Sequence, residues 1–494
     1  MLEESGNSNA QDVEFLPVFR LQAVNSMRPF RQTRIICTLG PATDSHEILK
    51  QLYQAGMNVA RLNMSHASHA DAARMITWLK TLNRKVSYPV AVLLDTQGPE
   101  IRTGERNVDL NLKTGAVVNV TVRGNVDVEE SSIQVNYGDL VNTVAVGDRI
   151  TVDNGLINLR VLGKKGVVLT CAVIDGGVLG SKKHVNLPGV HINLPSITEK
   201  DKEDIAFGIE HEVDFIALSF VRQAEDVLEL RRILGEKAGK IRVIAKIEDA
   251  EGVANVESIV RVSDGIMVAR GDLGVEIDIA DLPNQQRRIV RICAELGCRS
   301  IVATHLLESM IKNPIPTRAE VTDVANAVYE EVDAVMLSGE TSIGKYPVRC
   351  VEYVDAIAKA SERLPIFDDT KRLKLQSDKQ HMAIAAVDLA ESMGVKGLVT
   401  ITRRGFMADY LTNCRPHEVP IFAFTNDSST RRRLILNRSV FPHRIDFSLD
   451  NETTLQRAFR ILRSKESLGE GDKVVVISDV ISGSGIDSIQ TRVL

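Results

Sequence analysis

The side chains best placed for chemistry stand where short apolar runs end. In "VIAKIEDAEGV", residues 243–253, Lys246 and Glu248 lie two apart at the close of such a run. Side chains alternate faces along a strand, so residues two apart point the same way. Alone, the pair reads equally as a solvated strand-to-loop junction. Other runs end alike. "NVARLNMS" brings Arg61, Asn63 and Ser65, and "VAVLLDT" brings Asp95 and Thr96. "DFIALSFVR" supplies Ser219 and Arg222, and "DGIMVARGD" supplies Arg270 and Asp272. "SIVATHL" adds Thr304 and His305, and "DAVMLSGE" adds Ser338 and Glu340. Each has a bland reading as a Gly-Asp turn or a strand stop. Gathered at one mouth, so many buried charges demand mutual pairing or a ligand. Glu248 and Asp272 suit a hard divalent ion such as Mg²⁺, which takes one or two carboxylates beside substrate oxygens. Arg61 and Lys246 offer positive charge to a phosphate. Asn63, Ser65, Asp95 and Thr96 offer hard oxygens with one formal charge, a set fitted to a monovalent ion. The chemistry indicated is metal-clamped phosphoryl transfer or enolate chemistry on a small carboxylate. There is no G-x-x-x-x-G-K-[ST] motif to hold nucleotide phosphates.

Positioning these residues at one mouth requires a parallel sheet. Eight apolar runs, beginning with "RIICTLG", alternate with helical patterns such as "SHEILKQLYQAG", "AEDVLELRRILGEK" and "RAEVTDVANAVYEE". The pattern predicts an α/β fold with a closed (β/α)8 barrel, whose chemistry sits at the C-terminal ends of its strands. An open doubly wound sheet is the alternative. The rhythm breaks once, after the third run. "LKTGAVVNVTV", "VGDRITVDNG", "INLRVLGKKG" and "VVLTCAV" alternate apolar and polar residues between Gly-Asp, Asn-Gly and Gly-Lys turns. That predicts an antiparallel β-domain inserted at the barrel mouth, in the position of a lid, with "TQGPE" and "NLPG" as hinges. A third unit follows with "VKGLVTITRRG", "VPIFAFTND" and "DKVVVISDV", beyond a boundary within "LPIFDDTKRLKLQSDK". The expected division is an N-terminal extension at 1–27, the barrel at 28–98 and 189–364, a β-barrel lid domain at 99–188, and a C-terminal α/β domain at 365–494.

Bulk properties narrow the partners. A chain of 494 residues suggests several domains, and a net charge of −5 gives no reason to expect nucleic acid or an anionic membrane. No apolar run approaches the roughly 18 residues of a membrane span. The six cysteines are scattered with no C-x-x-C pair, which fits a reducing cytoplasm rather than a disulfide or zinc framework. The acidic, polar start "MLEESGNSNAQDVEF" does not read as a signal peptide.

"ARLNMSH", "LLDTQGPEIRTG", "GSKKHVNLPG", "VIAKIEDAEGV", "IMVARGDLGVEI", "ATHLLESMIKNPIPTRAEVTDVANAV" and "DAVMLSGETSIGKYP" together resemble pyruvate kinase, in order, over roughly residues 30–360. The resemblance implies phosphoryl transfer from phosphoenolpyruvate to ADP, giving pyruvate and ATP, in a cytoplasmic homotetramer. It implies that Glu248 and Asp272 hold Mg²⁺ or Mn²⁺. Lys246 then stabilises the phosphoryl group as it leaves the enolate, with Arg61 also on the phosphate. Gly271, Asp272 and Thr304 surround the substrate carboxylate, with Thr304 near the carbon that is protonated. Asn63, Ser65, Asp95 and Thr96 match the K⁺ site, and Glu100 matches the position whose glutamate accompanies K⁺ dependence. Asn63, His66, Arg102 and Lys183 match positions associated with the nucleotide.

Departures from the pattern carry their own expectations. His305 replaces a common glutamine and is expected to be a packed, hydrogen-bonded substitute, with an altered proton path as the sharper alternative. Gln97 replaces a lysine, His184 a glycine at the lid hinge, and Asn154 an aspartate. In "TRRGFMA", Thr402 and Gly405 keep the pattern of a fructose bisphosphate loop, whereas Arg404 and Met407 take its serine positions. No fructose bisphosphate activation is expected. Arg431, Arg432 and Arg433 are expected to form a solvated basic face. Two other activities remain at this stage: a metal-dependent lyase acting on a pyruvate enolate, and a non-catalytic relative that binds phosphorylated ligands.

Overall fold

The computed structural model describes residues 30–122, 132–192, 194–364, 373–478 and 488–494. The N-terminal extension expected at 1–27, and residues 365–372 of the expected boundary, lie outside the described residues.

Eight parallel strands close into a barrel. In chain order they are Arg34–Thr38, Val59–Asn63, Ala91–Asp95, Phe215–Leu218, Arg242–Ile247, Gly265–Ala269, Arg299–Ala303 and Ala334–Leu337. Each strand neighbours the next in sequence, and the first pairs with the eighth through Arg34 opposite Ala334. Helices cover the outside and the interior is filled, so both strand faces are apolar and the runs read as continuous rather than alternating. The expected helices lie at His46–Ala55, Ala224–Leu234 and Arg318–Tyr329; Ser45 and Thr317 cap the first and third, and Asp226 reaches back to the Gln223 N–H in the second.

The barrel interior shows why the polar residues gather at one end. Val59, Leu93, Ala217 and Ile244 all belong to the inner core. Two residues further along the same strand faces stand Arg61, Asp95, Ser219 and Lys246. The top layer of the barrel is therefore polar by the same period that makes the layer beneath it apolar.

The opposite end is closed by the third unit. Ile435 and Leu436, in a short turn of the C-terminal domain, pack into the barrel's inner core and are almost wholly buried. Charged contacts ring this plug. Arg432 Nε meets Asp214 Oδ1 at 2.8 Å, and Arg433 donates to the Gly239 carbonyl at 2.8 Å. Arg431 donates to the Ser87 carbonyl. Arg415 makes two bonds of 2.8 Å to Asp333, which Arg299 also approaches at 3.2 Å. The expected solvated basic face at Arg431–Arg433 is thus a docking surface. These arginines follow an aspartate cap at Asp427 on the helix Ser428–Arg433, whose last turn points at the barrel floor.

The inserted domain holds a six-stranded sheet, with Val117–Val122, Arg149–Val152, Ile157–Lys165 and Val168–Asp175 at its centre. Its ladders are antiparallel, as expected, except where Val120 and Ile133 pair in parallel. The C-terminal domain is a five-stranded sheet. Its edge strand Val440–Arg444 contains Pro442, a position that an edge tolerates. The other edge, Ser488–Val493, runs antiparallel to Lys473–Ser478. Among the described residues no helix is long and apolar enough to cross a membrane.

Candidate active site

Lys246 stands at the centre of the mouth. Its Nζ lies 2.8 Å from Ser219 Oγ, 3.2 Å from Asp95 Oδ1 and 3.0 Å from Glu248 Oε1. Burial works against its charge, but Asp95 and Glu248 outweigh it and raise its pKa above the ordinary lysine range. Asp95 is fully buried and shared, with its second oxygen 2.6 Å from Arg61 Nε. Burial would raise the Asp95 pKa, but Arg61 and Lys246 overcome it and hold the carboxyl below its usual value.

Glu248 behaves differently. It is 1% exposed, and burial pushes its carboxyl up to about 7, against Lys246 and with the help of nearby Asp272. Its Oε2 accepts the Phe220 backbone N–H at 2.7 Å. Phe220 reaches that position with a φ of 52°, the left-handed region. Asp272 lies in the first turn of the helix Arg270–Glu276 and remains one-third exposed. His184, on the chain leaving the inserted domain, places Nδ1 3.6 Å from Asp272 Oδ1.

The seventh strand ends in two consecutive left-handed residues, Thr304 with φ 69° and His305 with φ 55°. For β-branched Thr304 this is a strained conformation, and hydrogen bonds hold it. Thr304 Oγ1 accepts the Gly271 N–H at 2.7 Å and donates to the Ala303 carbonyl at 2.6 Å. His305 is exposed in the mouth rather than packed, contrary to the expected substitute role.

The second and third strands bring the oxygen set together. Asn63 and Asp95 are register partners, Asn63 Oδ1 accepts the Ser65 N–H at 3.2 Å, and Thr96 follows Asp95 directly. Thr96 Oγ1 accepts the Ser219 N–H at 3.2 Å. Of the residues matched to the nucleotide, Asn63 belongs to this oxygen set, and the other three stand apart from it. His66 is exposed. Lys183 pairs with Asp153 at 2.9 Å, and Arg102 pairs with Glu100 at 2.6 Å.

Three strand-end residues are occupied structurally. Arg222 donates to the carbonyls of Ile192 and Leu194, fastening the chain that returns from the inserted domain. Arg270 makes a two-pronged pair with Asp323 at 2.6 and 2.7 Å and donates to the Thr304 carbonyl. Glu340 is fully buried and accepts the backbone N–H groups of Leu307 and Ser338. Ser219, a strand-end residue to which the resemblance assigns no role, belongs to the site. Its hydroxyl accepts from Lys246 and donates to the Thr96 carbonyl at 2.6 Å, and its place two residues beyond Ala217 was the available signal.

Comparison with known proteins agrees with this geometry. Residues 30–351 match the family "Pyruvate kinase, barrel domain", and residues 380–490 match "Pyruvate kinase, alpha/beta domain". The chain is 42% identical over 452 residues to "Pyruvate kinase isozyme G, chloroplastic" of Nicotiana tabacum, covering 90% of this chain and 80% of that protein. It is 41% identical over 461 residues to the pyruvate kinase of Geobacillus stearothermophilus, covering 92% of this chain and 78% of that one. Similarity to the Sporosarcina psychrophila pyruvate kinase is 42% over 465 residues, with 92% and 78% covered. With both domain families matched in order and a closed barrel carrying their residues at its mouth, the chain belongs to the pyruvate kinase family.

Proposed function

We propose that this chain transfers the phosphoryl group of phosphoenolpyruvate to ADP, forming pyruvate and ATP, with the barrel mouth as its active site. The observation that carries this reading is Lys246, a buried cation held by Asp95, Ser219 and Glu248 near a third carboxylate, Asp272. Lys246 faces the phosphoryl group as its bond to the enolate oxygen breaks, and Arg61 holds the same group from the second strand. The Gly271 backbone and Thr304 orient the substrate carboxylate. Thr304 Oγ1 lies near the enolate carbon, which receives a proton by way of water.

The donor set suits a divalent ion. Glu248 is a buried carboxyl beside a second acid, Asp272, and burial pushes it up to about 7 even with Lys246 at 3.0 Å, so a further cation between the two carboxylates would be stabilised there. When bound to Glu248 and Asp272, Mg²⁺ or Mn²⁺ supplies Lewis-acid stabilisation of the charge that develops during transfer. We assign K⁺ to Asn63, Ser65, Asp95 and Thr96, supported by the pairing of Asn63 with Asp95 across adjacent strands. Asn63, His66, Arg102 and Lys183 receive the nucleotide. Lys183 and Arg102 there exchange Asp153 and Glu100 for phosphate oxygens as the inserted domain closes.

The same reading divides the chain at 28–98 with 189–364, 99–188 and 365–494. Separate cores support it, that of the inserted domain running from Ile101 to Leu187. It also takes the protein to be a cytoplasmic homotetramer. The six unpaired cysteines and the edge strand Ser488–Val493, available for pairing with a second copy, support those two points.

The test is pyruvate formation from phosphoenolpyruvate and ADP with Mg²⁺, coupled to lactate dehydrogenase, with and without about 100 mM K⁺. Turnover that requires K⁺ is expected. Turnover indifferent to K⁺ removes the monovalent site, and absence of turnover in both removes the catalytic assignment.

A further inference from the structure

The two chain segments that join the inserted domain to the barrel frame a cavity of about 200 Å³. None of Arg61, Lys246, Glu248, Asp272 or Thr304 lines it. Ile101, Val190, Ile192, Leu194 and Phe220 give it apolar walls, and Asp249, Glu251 and Glu276 add three carboxylates. Among the described lining residues Arg222 is the one lysine or arginine; its guanidinium donates to the carbonyls of Ile192 and Leu194, and its charge also favours ionised Asp249.

The carboxylates are unequally satisfied. Glu251 meets His191 Nδ1 at 2.9 Å, where the imidazole is largely exposed. Asp249 Oδ1 accepts the Gly252 N–H at 2.7 Å and caps a short helix. Glu276 accepts a bond of 2.8 Å from the neutral amide of Asn186, and burial pushes its carboxyl up to about 7. A cavity with apolar walls and an excess of carboxylates repels anions. Among the described residues no group of three or more histidine, cysteine, aspartate or glutamate side chains converges closely enough to hold a bare metal ion.

We propose that this hinge cavity binds a small organic cation, an ammonium group on a compact apolar body. The ammonium faces Glu276 and Asp249, and the body packs against Phe220, Ile192 and Val190. The volume is below that of a drug-sized pocket and limits the body to about one ring. Phe220 also lines the cavity, and an aromatic ring is a favourable neighbour for a cation.

Occupancy is felt at the mouth through shared walls. Phe220, which the ligand touches, gives its N–H to Glu248 at 2.7 Å. His184, another wall residue, lies 3.6 Å from Asp272 and has its ring centroid 6.0 Å from that of Phe220. A ligand wedged between hinge and barrel therefore fixes the hinge in its present position and acts as a modulator of closure.

The experiment is calorimetric titration of the full chain, saturated with Mg²⁺ and K⁺, with benzylammonium chloride and separately with benzyl alcohol at pH 8. The expected result is one site for the amine and at least tenfold weaker binding of the alcohol. Glu276→Gln is expected to weaken the amine at least tenfold, and Val190→Phe, which fills the cavity without altering charge, to abolish binding. Val190→Phe carries the test if Glu276→Gln does not fold. The proposal is overturned if the amine gives no binding heat up to about 10 mM, if the alcohol binds equally, or if Val190→Phe keeps the affinity within twofold. The readout is binding, so it stands apart from the phosphoryl-transfer assignment.

Discussion

Replacing Gly271 with alanine separates substrate recognition from folding. A Cβ built at Gly271 lies 3.4 Å from Thr304 Oγ1, 3.6 Å from Thr304 Cβ and 3.5 Å from His305 Cε1, all ordinary contact distances. The residue is the second of the helix Arg270–Glu276, a backbone that alanine adopts at least as readily as glycine. The folded chain therefore accepts Gly271→Ala with an unchanged or slightly raised melting temperature. The new methyl enters the space beside Thr304 where the substrate carboxylate is assigned. Overpacking of one methyl typically costs about 1–3 kcal/mol. Applied to bound phosphoenolpyruvate, that lowers kcat/KM by about 5- to 150-fold. Steady-state kinetics with varied phosphoenolpyruvate, alongside thermal unfolding, decides the matter. Unchanged kcat/KM in a folded variant would place the substrate away from the Gly271 backbone. A large fall in melting temperature would show that the contact distances do not describe the site.

Three further outcomes are expected. Glu248 is raised to about 7, so its neutral form prevails below that pH, and a divalent ion must displace the proton. Mn²⁺ affinity measured by electron paramagnetic resonance should fall about tenfold between pH 8 and pH 6, following one proton displaced per ion; a flat profile contradicts the assignment. Asp333→Asn leaves Arg415 and Arg299 without their shared carboxylate and should cost about 3–5 kcal/mol of stability. Arg415 and Arg299 outweigh burial and depress the folded pKa of Asp333, so this stability is present above the ordinary carboxyl pKa of about 4 and fades only as pH falls towards the folded value. The loss in denaturant unfolding should match at pH 5 and pH 8, and a loss under about 1 kcal/mol would refute the buried-pair account. In Glu100→Lys, an ammonium replaces the carboxylate that now binds Arg102 and Gln97, and the ratio of rates with and without K⁺ should approach one. An unchanged ratio removes Glu100 from the account of K⁺ dependence.

The barrel and its polar mouth were readable because both follow from local periodicity. Strands buried on two faces leave continuous apolar runs, and the residue two places past the last inner side chain must stand at the rim, as Lys246 does after Ile244. What escaped the sequence depends on partners far along the chain. Arg431, Arg432 and Arg433 look like a free basic run because Ser87, Asp214 and Gly239 lie 344, 218 and 194 residues earlier. Arg270 and Glu340 resemble Lys246 and Glu248 in their strand-end positions. Only the fold shows that one is spent on Asp323 and the other on two backbone amides. The exposure of His305 follows from two successive left-handed residues, a backbone choice that neither Thr304 nor His305 signals by type. The edge strand Val440–Arg444 was hidden by its own proline.

The Ile435–Leu436 plug bears on how the protein is made. The last barrel strand ends at Leu337, so about a hundred more residues must be synthesised before the floor can be filled. At 5–20 residues per second, the nascent barrel carries an open apolar well for roughly 5–20 s. During that interval Ile36, Phe215 and Met267 lack part of their eventual cover. Arg34, Arg242 and Asp214 meanwhile keep an electrostatic ring around the opening, waiting for Val440, Asp409 and Arg432. Truncation ahead of residue 435 would make that transient exposure permanent, and the released barrel would be a sticky intermediate rather than a minimal enzyme.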